Sequence, residues 1–453
     1  MELLSQIISA VNGFVWGPWM LLFLVGTGVF LSVRLGFLQF PQLGYALKLA
    51  FGKSNFTRGG GHDGAEGDVS HFAALMTALA ATIGTGNIVG VSTAVILGGP
   101  GAVFWMWVTA IFGMATKYGE AVLAVKFRVT DARGNMAGGP MYYIERGMKQ
   151  KWLAVLFAFF GVMASFGIGN MSQSNAVAGN IQNAFGVDSW ITGLILAVLT
   201  AIVILGGVKS IARASSFIVP FMALFYVVIG LFVIVANISL LPGALATIVT
   251  SAFSMKAGLA GLVGATIRYG VARGVFSNEA GLGSAPIAAA AARTDHPCRQ
   301  ALVSMTGTFL DTIVVCSVNG IILVMAGLYN GDAEAASLTS RSFDLFLPNV
   351  GVLVVTVSLV FFAYSTILGW SYYGERCLHY LAGHRLSVAY KVVFSVFILV
   401  GAMVKLDLAW DISDTFNGAM AIPNLIGLVA LSGVIVSQTK EFKGIRASER
   451  RSA

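Results

Sequence analysis

The chain has 453 residues, of which 57% are hydrophobic and 11% charged; with a mean hydropathy of +0.82, that balance excludes a soluble globule. The net charge of +8 does not point to nucleic acid, because Lys and Arg sit in short connections between apolar runs with no aromatic-interleaved basic patch. The composition implies an all-α polytopic membrane protein whose partner is the lipid bilayer.

The amino end has Glu2 and no Lys or Arg before Arg34, so it lacks the basic segment of a cleavable signal and the first apolar run is expected to remain as a helix. Runs long enough to span occur at about 14–33, 70–97, 101–127, 152–184, 189–207, 214–236, 258–291, 300–327, 348–378, 387–404 and 415–437. They predict eleven transmembrane helices. Arg34, Lys48, Lys53 and Arg58 follow the first run; Lys126, Arg128, Arg133, Arg146, Lys149 and Lys151 follow the third; Lys209 and Arg213 follow the fifth, and the pattern continues to Arg450 and Arg451. The other side carries only Lys256, Arg341 and Lys405, beside acids such as Asp188, Asp332 and Asp414. The amino terminus is therefore expected outside and the carboxyl terminus in the cytoplasm. Connections 237–256 and 328–347 have room for short external helices or plain loops, and 131–151 for a turn followed by a short interfacial helix. Cys298, Cys316 and Cys377, far apart in sequence, are expected as free thiols.

The second run holds the stretch on which the rest turns, Ala80-Ala81-Thr82-Ile83-Gly84-Thr85-Gly86-Asn87-Ile88-Val89-Gly90. As one helix the region from Val69 to Leu97 would be roughly 43 Å long, more than a hydrocarbon core of about 30 Å requires. Gly84 and Gly86, flanked by Thr82, Thr85 and Asn87, weaken helix there. Unwound backbone at that depth must be buried in protein or line a wet cavity. A second interruption, from Tyr269 to Ser284, lies in the seventh run. Because the two interrupted runs are five apart, they enter from opposite faces, which predicts a 5+5 inverted repeat with one added helix at the amino end. The organisation expected is residues 1–68 as extra helix and cytoplasmic loop, 69–240 and 241–438 as the two five-helix repeats, and 439–453 as a basic tail. Paired broken helices in inverted repeats point to a transporter's binding site.

Within the fourth run Phe166, Asn170, Gln173 and Val177 share one stripe. A carboxamide there either bonds a neighbouring helix or meets a zwitterion, and Gln173 is the candidate ligand group. In the ninth run, near Trp370, the hydroxyls of Ser365 and Thr366 either bond back to the preceding turn or join carbonyls of an unwound segment in an uncharged, all-oxygen cation site. Glu120, Arg268, Arg273, Glu279 and Asp311 are ionisable groups at membrane depth. Glu279 is expected to accept amides freed by the second interruption, with proton coupling as the alternative. All five histidines lie in loops or near helix ends, and neither a Gly-x-Ser-x-Gly elbow nor a His-Glu-x-x-His pair occurs, so no catalytic residue and no cofactor is expected. A membrane-embedded enzyme and a channel are the rival classes.

Gly84-Thr85-Gly86-Asn87-Ile88-x-Gly90, Gly138-Gly139-Pro140-Met141-Tyr142-Tyr143-Ile144-Glu145-Arg146-Gly147, Gly169-Asn170-Met171-x-Gln173, and Arg273-Gly274-x-Phe276-Ser277-Asn278-Glu279-Ala280-Gly281-x-Gly283-Ser284-Ala285-Pro286 resemble the motifs of the alanine/glycine:cation symporter (sodium:alanine symporter) family through nearly the whole chain. That resemblance implies a LeuT-type fold and sodium-coupled import of alanine or glycine across the bacterial inner membrane, with proton coupling within the same fold as the alternative. Carried over through the Gly-x-Gly-Asn motif, the sodium ligands would be the carbonyls of Ala80, Ile83 and Phe362 with the hydroxyls of Ser365 and Thr366. The zwitterion's carboxylate would meet the Gly84 to Asn87 amides beside Thr82 and Thr85, and its ammonium the polar groups around Phe276, Ser277 and Asn278, near Gln173. Phe166, Phe276 and Trp370 would be the aromatic walls that keep the substrate small.

Overall fold

The computed structural model describes residues 10–52, 66–253, 260–330, 334–404 and 407–452. Glu2, Lys53, Arg58, His62, Lys256, Asp332 and Lys405 lie outside the described residues. Helix α1 (Pro18–Arg34) opens on a proline, whose missing N–H costs nothing in a first turn. Helix α2 (His71–Thr82) opens on Ser70, whose Oγ accepts from the Ala73 N–H at 3.2 Å. It stops because the Gly84 N–H, which an uninterrupted helix would aim at the Ala80 carbonyl, turns to Asn87 Oδ1 at 2.9 Å. The chain resumes as a π-helical turn, Gly86–Gly90, and then α3 (Val91–Gly98), and the two halves are bent by 54°.

Helix α4 (Gly101–Lys126) is buried along most of its length. Helices α5 (Lys151–Phe166) and α6 (Ser172–Phe185) form one rod with a π-helical turn, Gly167–Met171, between them. Next come α7 (Ser189–Leu205), α8 (Gly207–Ala236) and α9 (Ala260–Asn278). The second interruption is shorter than expected: the chain is helical from Tyr269 to Asn278 and breaks only at Glu279, Gly281 and Gly283, with φ of 56°, 92° and 83°. The reason is packing. A Cβ on Gly270 would lie 2.6 Å from the Ala102 carbonyl oxygen, so this glycine brings α9 close to α4 instead of unwinding it. The short α10 (Ala285–Ala289) follows, with a proline in its first turn.

Helices α11 (Pro297–Thr308) and α12 (Ser317–Ala326) flank a third π-helical stretch, Phe309–Cys316. The long α13 (Gly351–Ala382), α14 (Ser387–Met403), α15 (Asp407–Ala430) and α16 (Ser432–Ser452) complete the chain. The connections at 237–256 and 328–347 carry the helices Leu241–Phe253 and Ala335–Phe346, and the 131–151 connection has the expected short helix, Pro140–Gly147, after a two-stranded hairpin pairing Val129–Thr130 with Met136–Ala137. All three cysteines are buried and unbridged.

Among the described residues seven helices are long and apolar enough to cross a membrane, or nine if the bent pairs α2–α3 and α15–α16 each make one span. Every predicted run has a helical counterpart; the fifth, α7 at 17 residues, and the seventh, α9 with Arg268 and Arg273, are not among those nine. Ile202, Phe217, Leu224, Phe232 and Val235 on α7 and α8 are more than half exposed, as side chains facing lipid would be. The breaks sit inside: α2 packs against α8 and α13, and α9 against α3 and α4.

Candidate functional site

The break after α2 faces α13. Gly369 permits this approach, since a Cβ there would lie 2.7 Å from the Ala81 backbone nitrogen. Ser365 Oγ then donates to the Phe362 carbonyl at 2.9 Å and lies 3.4 Å from the Ile83 carbonyl; Thr366 Oγ1 makes the same pair of contacts at 3.0 and 3.4 Å. Four of the five groups carried over as sodium ligands are therefore brought together, each hydroxyl within 3.4 Å of both carbonyls. The fifth, the Ala80 carbonyl, has lost the helical amide that Gly84 would have supplied. The hydroxyls of Ser365 and Thr366 bond back to the preceding turn and at the same time face the break.

Beside this cluster lies a small cavity walled by Thr82, Gly84, Gly86, Gln173, Phe276 and Thr366, with Trp370, Ala81, Ile168, Glu279 and Asn417 completing it. About 20 Å³ is open to the centre of a water-sized sphere, enough for a water and little more. Gln173 Oε1 accepts from the Thr85 N–H at 3.3 Å while its Nε2 donates to the Ile168 carbonyl at 2.9 Å, so this carboxamide ties the π-helical turn of the fourth run to the first break. Phe276 also walls a larger outer pocket of about 210 Å³ with Trp16, Arg268, Tyr269, Arg273 and Asp414. Its ring is thus the partition between the two spaces. Arg268 is exposed and Arg273 half-buried, so neither is enclosed by the bundle as Glu120, Glu279 and Asp311 are.

Several expected site residues face elsewhere. Phe166 packs on Tyr390, Phe394 and Phe397 with ring centroids 5.3 to 5.7 Å apart, and is not part of the cavity wall. Its helical stripe diverges from that of Gln173 because the π-helical turn between them adds a residue. Asn87 Nδ2 donates to Asp311 Oδ1 at 2.7 Å, and Ser277 Oγ donates to Asp311 Oδ2 at 2.9 Å. Asn278 Nδ2 donates to Thr312 Oγ1 at 3.1 Å. These three side chains join the two broken helices to the third π-helical stretch, where Asp311 accepts from Asn87, Ser277 and Thr312. Thr85 brings its amide to the site while its hydroxyl is buried without a hydrogen-bond partner.

The acid that holds the second break is Glu120, not Glu279. Glu120 Oε1 accepts from the Gly281 and Gly283 amides, each at 3.1 Å, and from Asn424 Nδ2 at 2.7 Å. Glu279 accepts from Ser284 Oγ at 2.7 Å and reaches the cavity wall. Two groups were missed in sequence. Asn417 on α15 presents a buried Oδ1 without a hydrogen-bond partner at the cavity, and Lys117 on α4 is buried among Glu279, Glu120 and Asp311. Both were visible as polar residues inside or at the edge of apolar runs, the criterion that picked out Gln173.

The chain matches the sodium:alanine symporter family over residues 1–453. It is 60% identical over 456 residues to the sodium/alanine symporter AgcS of Methanococcus maripaludis, covering 99% of each chain. It is 36% identical to the probable sodium/glutamine symporter GlnT of Bacillus subtilis, covering 97% of this chain and 91% of that one. In fold it is similar to MhsT, solved in complex with L-phenylalanine, with a TM-score of 0.56 at 13% identity over 83% of this chain and 99% of that one. These likenesses place it among LeuT-type folds and among transporters, not enzymes. This chain belongs to the sodium:alanine symporter family.

Proposed function

We propose that this protein imports small neutral amino acids, alanine and glycine, together with Na⁺, by alternating access around the first break. The observation that carries this reading is the oxygen cluster of Ile83, Phe362, Ser365 and Thr366 against the small cavity. Na⁺ there bridges α2 and α13, and so binds one arrangement of the two helices more tightly than the other. The Ala80 carbonyl completes the site. The substrate carboxylate takes the Gly84 and Thr85 amides over from Asn87 Oδ1 and Gln173 Oε1, which hold them in its absence, and its ammonium meets Asn417 Oδ1 and the Glu279 carboxylate. Phe276 and Trp370 limit side-chain size, and Phe276 moves to open the outer pocket. Ser277, Asn278 and Asn87 act through Asp311 and Thr312 as the link between the moving helices, and Phe166 has no part in the pocket.

The finer architecture belongs to the same reading: eleven spans in a multi-pass inner-membrane protein, amino terminus outside and carboxyl terminus in the cytoplasm, with residues 1–68 preceding repeats 69–240 and 241–438 and a tail at 439–453. Uptake of labelled glycine, L-alanine and D-alanine into proteoliposomes under separately imposed sodium and proton gradients tests it. Sodium-driven uptake of alanine or glycine is expected. Glu279 on the cavity wall favours a second reading, proton coupling. Uptake driven by a proton gradient alone, and lost only in Glu279→Gln, would replace sodium with a proton.

A further inference from the structure

Another pocket lies away from the break, where the ends of α7, α13 and α14 meet the 129–137 hairpin. About 230 Å³ in volume, it is lined by Arg133, Lys209, Arg376, Lys391, His379 and His384 against a single lining acid, Glu375. The acids around it are already matched. Arg376 Nη1 lies 3.0 Å and His384 Nε2 3.4 Å from Asp131 Oδ2, while Lys391 Nζ lies 3.2 Å and His379 Nε2 3.5 Å from Glu375 Oε1. The other Asp131 oxygen accepts the Arg133 and Asn135 amides, each at 2.9 Å.

Arg133 and Lys209 are left, among the described residues, without an ion pair. The first turn of α8 points at the same space: Gly206, Gly207 and Val208 line the pocket, and this 30-residue helix has no side-chain cap. Its amides and the positive end of its dipole add to these two exposed cations, of which Lys209 also feels the more distant Asp68 carboxylate. His379 lines the same space, with Nε2 already beside Glu375 Oε1 and Nδ1 buried without a hydrogen bond. Such a pocket asks for an anion.

The flank says which source. Ile202 and Leu205 on α7 are 67% and 62% exposed, and Val388 on α14 is 66% exposed, so the pocket opens beside a lipid-facing apolar surface. We propose that it binds the phosphate of an anionic phospholipid headgroup, with Arg133, Lys209 and the α8 amides on the phosphate and the acyl chains along Ile202, Leu205 and Val388.

Native mass spectrometry of the full-length, delipidated protein titrated with phosphatidylglycerol or with phosphatidylcholine of the same chains tests this. Phosphatidylglycerol should bind at least about fivefold more tightly, and Arg133→Gln/Lys209→Gln should weaken it about tenfold. Arg146→Gln/Lys151→Gln, the same charge loss on exposed residues outside the pocket, should leave it within about twofold. Equal binding of the two lipids, or equal losses in the two double variants, would overturn the proposal. Inorganic phosphate added alone provides the other arm: saturable phosphate binding that excludes phosphatidylglycerol would assign the pocket to a soluble anion and overturn the lipid assignment.

Discussion

Thr366 has its hydroxyl in the oxygen cluster and on the cavity wall at once, so its removal reports on the cation more directly than any other single change. Thr366→Ala should raise the sodium concentration for half-maximal uptake about tenfold, on the order of 1.4 kcal/mol; unchanged sodium dependence would remove the cluster from the mechanism. Asn417→Ala tests the substrate side. Losing one hydrogen bond to an ammonium costs about 1.5 to 3 kcal/mol, so half-saturating alanine should rise about tenfold or more while sodium dependence stays in place. Size selection belongs to Phe276 and Trp370, because both wall the cavity and Phe166 does not. Phe276→Ala or Trp370→Leu should let valine and leucine compete with alanine, since larger side chains are excluded by packed rings and a missing methylene is penalised by only about 1 to 3 kcal/mol. Phe166→Leu should leave the competition order unchanged. If folded Phe276 and Trp370 variants lose alanine uptake without admitting either larger substrate, the pocket is elsewhere.

At the scale of elements, both breaks are held by side chains from other helices. Asn319 Nδ2 donates to the Asn87 carbonyl at 2.8 Å and the Ile88 carbonyl at 3.2 Å, accepting what the π-helical turn sets free; Glu120 does the same for the amides of the second break. A helix end outside the membrane shows a pH-sensitive version of this support. His296 Nδ1 accepts from the Cys298 N–H at 3.2 Å and so caps α11 only when that nitrogen is unprotonated. Burial, partly opposed by Glu441, holds the imidazole below its ordinary value of 6.5. The capping contribution is therefore fully present above about pH 6.5 and is lost as pH falls through the lower folded value. Thermal unfolding of purified protein should show wild type losing stability between pH 8 and 5 relative to His296→Asn, which keeps an acceptor that does not titrate. Parallel pH profiles would show that this cap does not govern acid stability.

For the whole molecule the question is whether helices rock or a pore opens. Counterflow separates the two: proteoliposomes loaded with unlabelled alanine should concentrate labelled alanine transiently, whereas a conducting pore gives only equilibration. What the sequence by itself determined was everything that follows from periodicity, length and local chemistry. Apolar runs marked the helices, Gly84 and Gly86 marked the first break, and Ser365-Thr366 marked a pair of hydroxyls that the structure sets against that break, because each depends on residues adjacent along the chain. Only the tertiary structure decided which polar groups face the cavity. A π-helical turn at Gly167–Met171 rotates Phe166 away from Gln173, and no spacing rule for an ideal helix anticipates that added residue. Gly270 could unwind α9 or admit α4, and the position of Ala102 settled it for packing. Asn87, Ser277 and Asn278 carry the right groups for a zwitterion, yet Asp311, remote in the chain, takes the first two and its neighbour Thr312 the third. In a medium without water a polar side chain bonds the nearest buried partner, and which partner is nearest is a property of the packed bundle, not of the segment.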